Sequence, residues 1–194
     1  MPSAFYLLAS RNSLDRSVAP LDSALRRRFR LLNVAPDLEV ARDLMLSGRA
    51  ESALENPDAP SPDECKSLAL ALLRRLNEGI SALLGPEFQI GQSYILSIVD
   101  YETFVDAIAD AVLPQLYDLF RDRPRDLAEL LGEEMVTLSE EASDVGLGVW
   151  GSVPANLIDV RQMDVGELMR TLYLTVYSRP WTQPEPPTAP ETES

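Results

Sequence analysis

Histidine is absent from this 194-residue sequence, and cysteine and lysine occur once each. Each scarcity excludes something. Without histidine there is no imidazole general base, no His-dependent triad and no His-ligated metal site. Cys65 alone cannot form an intrachain disulfide. Its neighbours Glu64 and Lys66 do nothing to activate a thiolate, so it reads as an ordinary helix residue. With Lys66 as the sole lysine, no Gly-x-x-x-x-Gly-Lys-Ser/Thr loop exists to cradle phosphates. No apolar strand ends in the Asp-Glu pair that would hold magnesium and a catalytic base. No apolar run reaches the roughly 18 residues of a membrane-spanning helix. The N-terminus lacks the basic-then-apolar order of a secretion signal. These absences describe a soluble, cytoplasmic protein with no membrane contact.

What is present is apolar and acidic. Apolar residues make up 45% of the chain, enough for a real core, and the formal net charge is -14. Such a balance argues against broad, nonspecific nucleic-acid binding. The charge is uneven, because six of the 17 basic residues lie between Arg11 and Arg30. All basic residues but Lys66 are arginine. Arginine suits bidentate phosphate contacts, and the same bias is what a GC-rich genome produces.

Pattern along the chain predicts an α+β fold, mostly α. Residues 4–9 read as a buried strand, residues 10–19 as a polar turn, and Pro20 to Arg28 as a short helix. Phe29 to Val34 is a second strand candidate. Asp37 is an N-cap for a helix to about Leu46. After a proline-rich loop, Ser61 to Asp63 starts a long helix with a broad leucine face, closed by Gly85-Pro86. Tyr101 to Phe120 is a helix that Pro114 should bend or split. Asp126 to Leu131 is a shorter one ended by Gly132. Residues 143–156 read as loop or linker, Val165 to Tyr177 as a last amphipathic helix, and Pro180 to Ser194 as a disordered tail.

Three short blocks carry more. The first is Asn12-Ser13-Leu14-Asp15-Arg16-Ser17, directly after the apolar Phe5-Tyr6-Leu7-Leu8-Ala9, followed by Leu21-Asp22-Ser23-Ala24-Leu25-Arg26-Arg27-Arg28-Phe29. The second is Ile90-Gly91-Gln92-Ser93-Tyr94. The third is Pro114-Gln115-Leu116 with Tyr117 and Phe120. In this order and spacing they resemble the second half of an AAA+ NTPase of the McrB family of restriction motors, over about residues 2–132. The family reads Asn-Thr-Ala-Asp-Arg-Ser then Leu-Asp-x-Ala-Leu-Arg-Arg-Arg-Phe in the first block, and Ile-Gly-His-Ser-Tyr in the second. Gln92 stands here where the family has histidine, and Ser10-Arg11 where it has Thr-Met.

The resemblance implies an organisation. Residues 1–36 would be the end of an AAA+ core, 37–133 a helical lid, 134–179 an extension and 180–194 a tail. It also implies roles. Asn12 falls on the sensor-1 amide that orients the attacking water. Asp15 and Arg16 fall on the Asp-Arg beside the nucleotide, although Asp15 can equally tie down the turn. Arg26, Arg27 and Arg28 fall on the cluster that supplies an arginine finger to a neighbouring subunit. Guanidinium suits that task, being always charged and able to fork onto phosphate oxygens. The phosphate-gripping half is not in this sequence. A C-terminal fragment is therefore expected, inactive alone, completing a site for GTP or ATP with magnesium in a Walker-bearing AAA+ subunit. It would act in an oligomer with a McrC-like nuclease subunit, meeting DNA only through that complex.

Two rivals stand beside this reading. One is a non-catalytic protein-interaction module derived from an AAA+ lid. The other is a small helical DNA-binding protein using Arg11 to Arg30, which overall acidity disfavours. Gly146-Leu147-Gly148-Val149-Trp150-Gly151 fits Gly-x-Gly-x-x-Gly, but acids precede it and Ser152-Val153-Pro154 follows. The dinucleotide motif needs a strand before it and a helix opening from it.

Overall fold

In the computed structural model, residues 6–9, 27–30, 32, 34–138 and 155–183 are described. Helix α1 spans Leu38–Leu46. It starts where it does because the Asp37 carboxylate accepts the Glu39 and Val40 amide protons, each at 3.1 Å. Helix α2, Pro62–Leu83, opens on a reciprocal cap. The Ser61 hydroxyl accepts from the Glu64 amide, and the Glu64 carboxylate accepts from the Ser61 amide. Proline at the first helical position needs no amide partner. The face of α2 carrying Leu68, Leu72, Leu76 and Ile80 is fully buried and forms the spine of the core.

Two short 3-10 turns, Pro86–Phe88 and Gln92–Tyr94, lead to helix α3, Tyr101–Asp106, capped by Asp100 and Thr103. The helix does not break at Pro114. It widens to π spacing over Ala107–Val112 and resumes as α4, Leu113–Leu119. In the widened turn the Leu113 amide donates to the Ile108 carbonyl, five residues back. Proline supplies no amide proton and crowds the carbonyl four residues before it, and a π turn relieves this without ending the helix. Helix α5, Pro124–Leu131, stops at Gly132, whose φ of 92 suits glycine alone.

Strand β1, Val136–Leu138, pairs antiparallel with β2, Ala155–Leu157, in the register Val136–Leu157, Thr137–Asn156 and Leu138–Ala155. A 3-10 turn, Val160–Gln162, then leads to helix α6, Val165–Tyr177, which buries Leu168, Met169 and Leu172 and packs on α2. One hydrophobic cluster runs through all six helices. The fold is α+β and mostly α.

The strands are not the expected ones. Tyr6–Ala9 and the described residues of 29–34 form no strand. Tyr6 is 91% and Leu8 95% exposed, and Leu32 and Val34 face outward. An isolated strand leaves its amides and one apolar face without partners, and no described segment pairs with either stretch. Ala155 and Asn156, expected in a linker, belong to β2 instead. Trp181, expected in the tail, packs on the core and donates from Nε1 to the Leu54 carbonyl at 2.8 Å.

Candidate functional site

Of the residues singled out by the first motif block, Asn12, Asp15, Arg16 and Arg26 lie outside the described residues, as does Gly146 to Gly151. Arg27 and Arg28 occupy a turn just before Phe29, and both are exposed with Arg30 beside them. The three guanidinium groups form no ion pair with another described residue, whereas Arg42, Arg49, Arg74, Arg123, Arg161 and Arg170 all do. A basic stretch is thus presented at the entry to the helical body.

The second and third blocks meet in space. The Tyr94 hydroxyl donates to Gln115 Oε1 at 3.2 Å, joining residues 21 apart. Gln92 Oε1 accepts from the Asp37 amide at 3.3 Å, tying the same loop to the start of α1. Ile90 is fully buried. Asn77, which the sequence reading passed over, holds this loop from beneath. Its Nδ2 donates to the Ile90 carbonyl at 2.9 Å and its Oδ1 accepts from the Ile90 amide at 2.7 Å. A signal was present, since one amide sits among Leu73, Leu76 and Ile80 on an otherwise apolar face. Buried polar groups are retained where they are paired.

A second constellation joins the segment after β2 to the π turn. Arg161 donates to Asp106 at 2.9 Å and to Asp110 at 2.6 Å. The hydrogen bond from Arg161 holds the Asp110 carboxyl below its ordinary value, and the two carboxylates push the Arg161 guanidinium higher still. Beside it lies an open cleft of about 240 Å³ with a mostly apolar floor of Ala109, Leu113, Tyr117, Leu157 and Val160. Its one cation already serves two carboxylates, and the volume is below the roughly 300 Å³ at which small-molecule sites begin. The arrangement braces two elements and carries no nucleophile–base pair.

Elsewhere the titratable groups are structural. Burial pushes the Cys65 thiol up to about 11, with Glu64 and Asp100 adding to it, so no thiolate forms near neutrality. Burial works against the Glu64 carboxylate, but hydrogen bonds from Ser61 and the Glu55 amide outweigh it and the net shift is downward. Asp100 is lowered by its bonds to Thr103. Among the described residues no group of three or more His, Cys, Asp or Glu is placed to hold a metal ion. Among them, too, no helix is long and apolar enough to cross a membrane.

Comparison with known proteins shows what the helical body is similar to. Residues 69–128 match the family described as McrB, alpha-helical lid domain. The chain is also 30% identical over 135 residues to the Type IV methyl-directed restriction enzyme EcoKMcrB subunit of Escherichia coli strain K12. That alignment covers 64% of this chain and 27% of the relative, so the chain spans about a quarter of the relative's length. The aligned stretch is longer than the lid match, and the likeness therefore extends past the lid itself. The chain is McrB-like, and residues 69–128, which run from α2 into α5, are the part similar to the McrB α-helical lid.

Proposed function

We propose that this chain is the lid-bearing part of a McrB-type AAA+ NTPase subunit of a DNA restriction system. The observation that carries the reading is the lid match over 69–128, preceded by the Asn12 and Arg26–Arg28 block in the order the family shows. In this reading Asn12 orients the attacking water, with Asp15 and Arg16 beside the nucleotide. Arg26, Arg27 or Arg28 reaches the phosphates bound by an adjacent subunit. Phosphoryl transfer depends on positioning and charge stabilisation, which an amide and a guanidinium supply. The phosphate-gripping loop and the magnesium-holding acids come from a Walker-bearing AAA+ chain. GTP or ATP with magnesium is the ligand of the complete site, a McrC-like nuclease the partner and the cytoplasm the compartment.

The test is reconstitution. The chain alone should hydrolyse neither GTP nor ATP. Mixed with a McrB-type Walker-bearing core, it should raise turnover. Arg27→Ala or Arg28→Ala should remove about 10³-fold of that increase, as loss of an arginine finger does, and Asn12→Ala should weaken it as well. Hydrolysis by the chain alone would overturn the proposal. A second reading, an interaction module built from a lid, is favoured by one observation. Tyr6, Leu7, Leu8, Leu32 and Val34 expose apolar surface while the helical body is complete. Reconstitution with no rise in turnover, but with tight binding to the core, would select it.

A further inference from the structure

The Ile90–Tyr94 loop is anchored on two sides and reaches out on a third. Beneath it, Asn77 of α2 holds both polar groups of Ile90. Beside it, Tyr94 is bonded to Gln115 of α4. The Gln92–Tyr94 turn is closed by the Ile95 amide donating to the Gln92 carbonyl at 3.1 Å. From this fixed base the Gln92 side chain extends to one backbone group, the amide of Asp37. That amide belongs to the residue at which the chain enters the lid. The Asp37 side chain is occupied with the first turn of α1, and the Asp37 carbonyl accepts from Ala41 at 3.2 Å. Among the described residues, the Asp37 amide is the most N-terminal group tied to the helical body by a hydrogen bond. Residues 34–36 just before it are exposed or only partly buried.

We propose that the Ile90–Tyr94 loop is a lock on the entry of the chain into the lid, with Gln92 as its positioning residue. A hydrogen bond at Asp37 fixes the direction in which the preceding backbone leaves the helical body. The tether is long. Arg28 lies nine residues before Asp37, and nine extended residues reach about 30 Å. The bond therefore fixes the point and direction from which this tether leaves the helical body, with the basic stretch within its reach. The lock stands on the geometry of the lid and does not depend on the functional reading given above.

The experiment uses the full chain with two substitutions that remove the acceptor, Gln92→Ala and the length-preserving Gln92→Met. Amide exchange by nuclear magnetic resonance reads the Asp37 proton directly, with Cys65 and Phe104 as amides inside α2 and α3 for reference. A net hydrogen bond in an exposed setting is worth a factor of about five, so Asp37 should exchange about fivefold faster in both variants while the reference amides do not change. In parallel, spin labels at Val34→Cys and Glu102→Cys report the direction of entry, because buried Cys65 will not take the label. The distance distribution should broaden in both Gln92 variants. Unchanged Asp37 exchange overturns the lock. Equal acceleration of all three amides also overturns it, since Gln92 would then support overall stability only. Faster Asp37 exchange with an unaltered distance distribution overturns the claim that the bond sets direction.

Discussion

The described residues before Asp37 and the helical body after it both carry large apolar side chains, and these have opposite fates. Tyr6, Leu7, Leu8, Phe29, Leu32 and Val34 are exposed, whereas Leu70, Leu73, Leu76, Ile80, Phe104 and Ile108 are at most 1% exposed. The difference lies in partners. A helix satisfies its backbone internally, so each lid helix needs only to lay one apolar face on another. A strand must borrow its hydrogen bonds from a neighbour. The helical body therefore buries its own apolar faces, while the described upstream residues leave large apolar side chains exposed. Helix α1 sits at the boundary, with Ala41, Met45 and Leu46 buried and Val40 and Leu44 outward.

The contrast can be broken most forcefully from within the core. Phe104→Ala should destabilise the lid by about 3–5 kcal/mol through lost burial and the cavity left behind. Chemical denaturation followed by circular dichroism will show it as a large fall in midpoint. Asn77→Ala comes next, leaving the amide and carbonyl of buried Ile90 without partners at a cost of about 1–3 kcal/mol. Thermal melts should fall accordingly, and exchange at the Ile90 amide should rise.

Acid gives a smaller effect. Asp110 and Asp100 are both lowered in the folded state, by Arg161 and Thr103 respectively. A depressed carboxyl contributes stability above its unfolded pKa and loses it as pH falls through the folded value. Unfolding midpoints should thus be flat from neutrality to about pH 5 and decline below about pH 4. Arg161→Ala should remove the share owed to Asp110. A decline already complete at pH 6 would contradict this assignment. The smallest change is expected upstream. Leu8→Ser, at a position 95% exposed, should move the melting of the lid by no more than about 0.5 kcal/mol. A larger loss would show that Leu8 is covered in solution and would erase the contrast between the two regions.

Much of the lid was readable before any coordinates. The caps at Asp37, Ser61 with Glu64, and Asp100 act within three residues of themselves, so local sequence contains both halves of each interaction. Helix α6 begins and ends where its periodicity says it should. The candidate catalytic residues were legible only as a motif. Asn12, Asp15, Arg16, Arg26, Arg27 and Arg28 are candidates by resemblance alone, and the structure adds only that Arg27 and Arg28 are exposed. Pro114 announced a disturbance in its helix but not its form. Whether a helix kinks, ends or widens depends on what packs around the turn, and here Arg161 holds Asp106 and Asp110 across it.

By itself, then, the sequence determined the start of α1 at Asp37, the start of α2 after Ser61, both ends of α6, which faces are apolar, and the McrB-like order of three motif blocks. Each of these depends on residues a few positions apart. Only the tertiary structure decided which strands pair, that Asn77 grips Ile90, that Gln92 reaches Asp37 across 55 residues, and that Trp181 closes on Leu54 across 127. In each case a polar group is satisfied by a partner that chain proximity does not supply. Which partner arrives is set by how the apolar faces of α1, α2, α4 and α6 pack together.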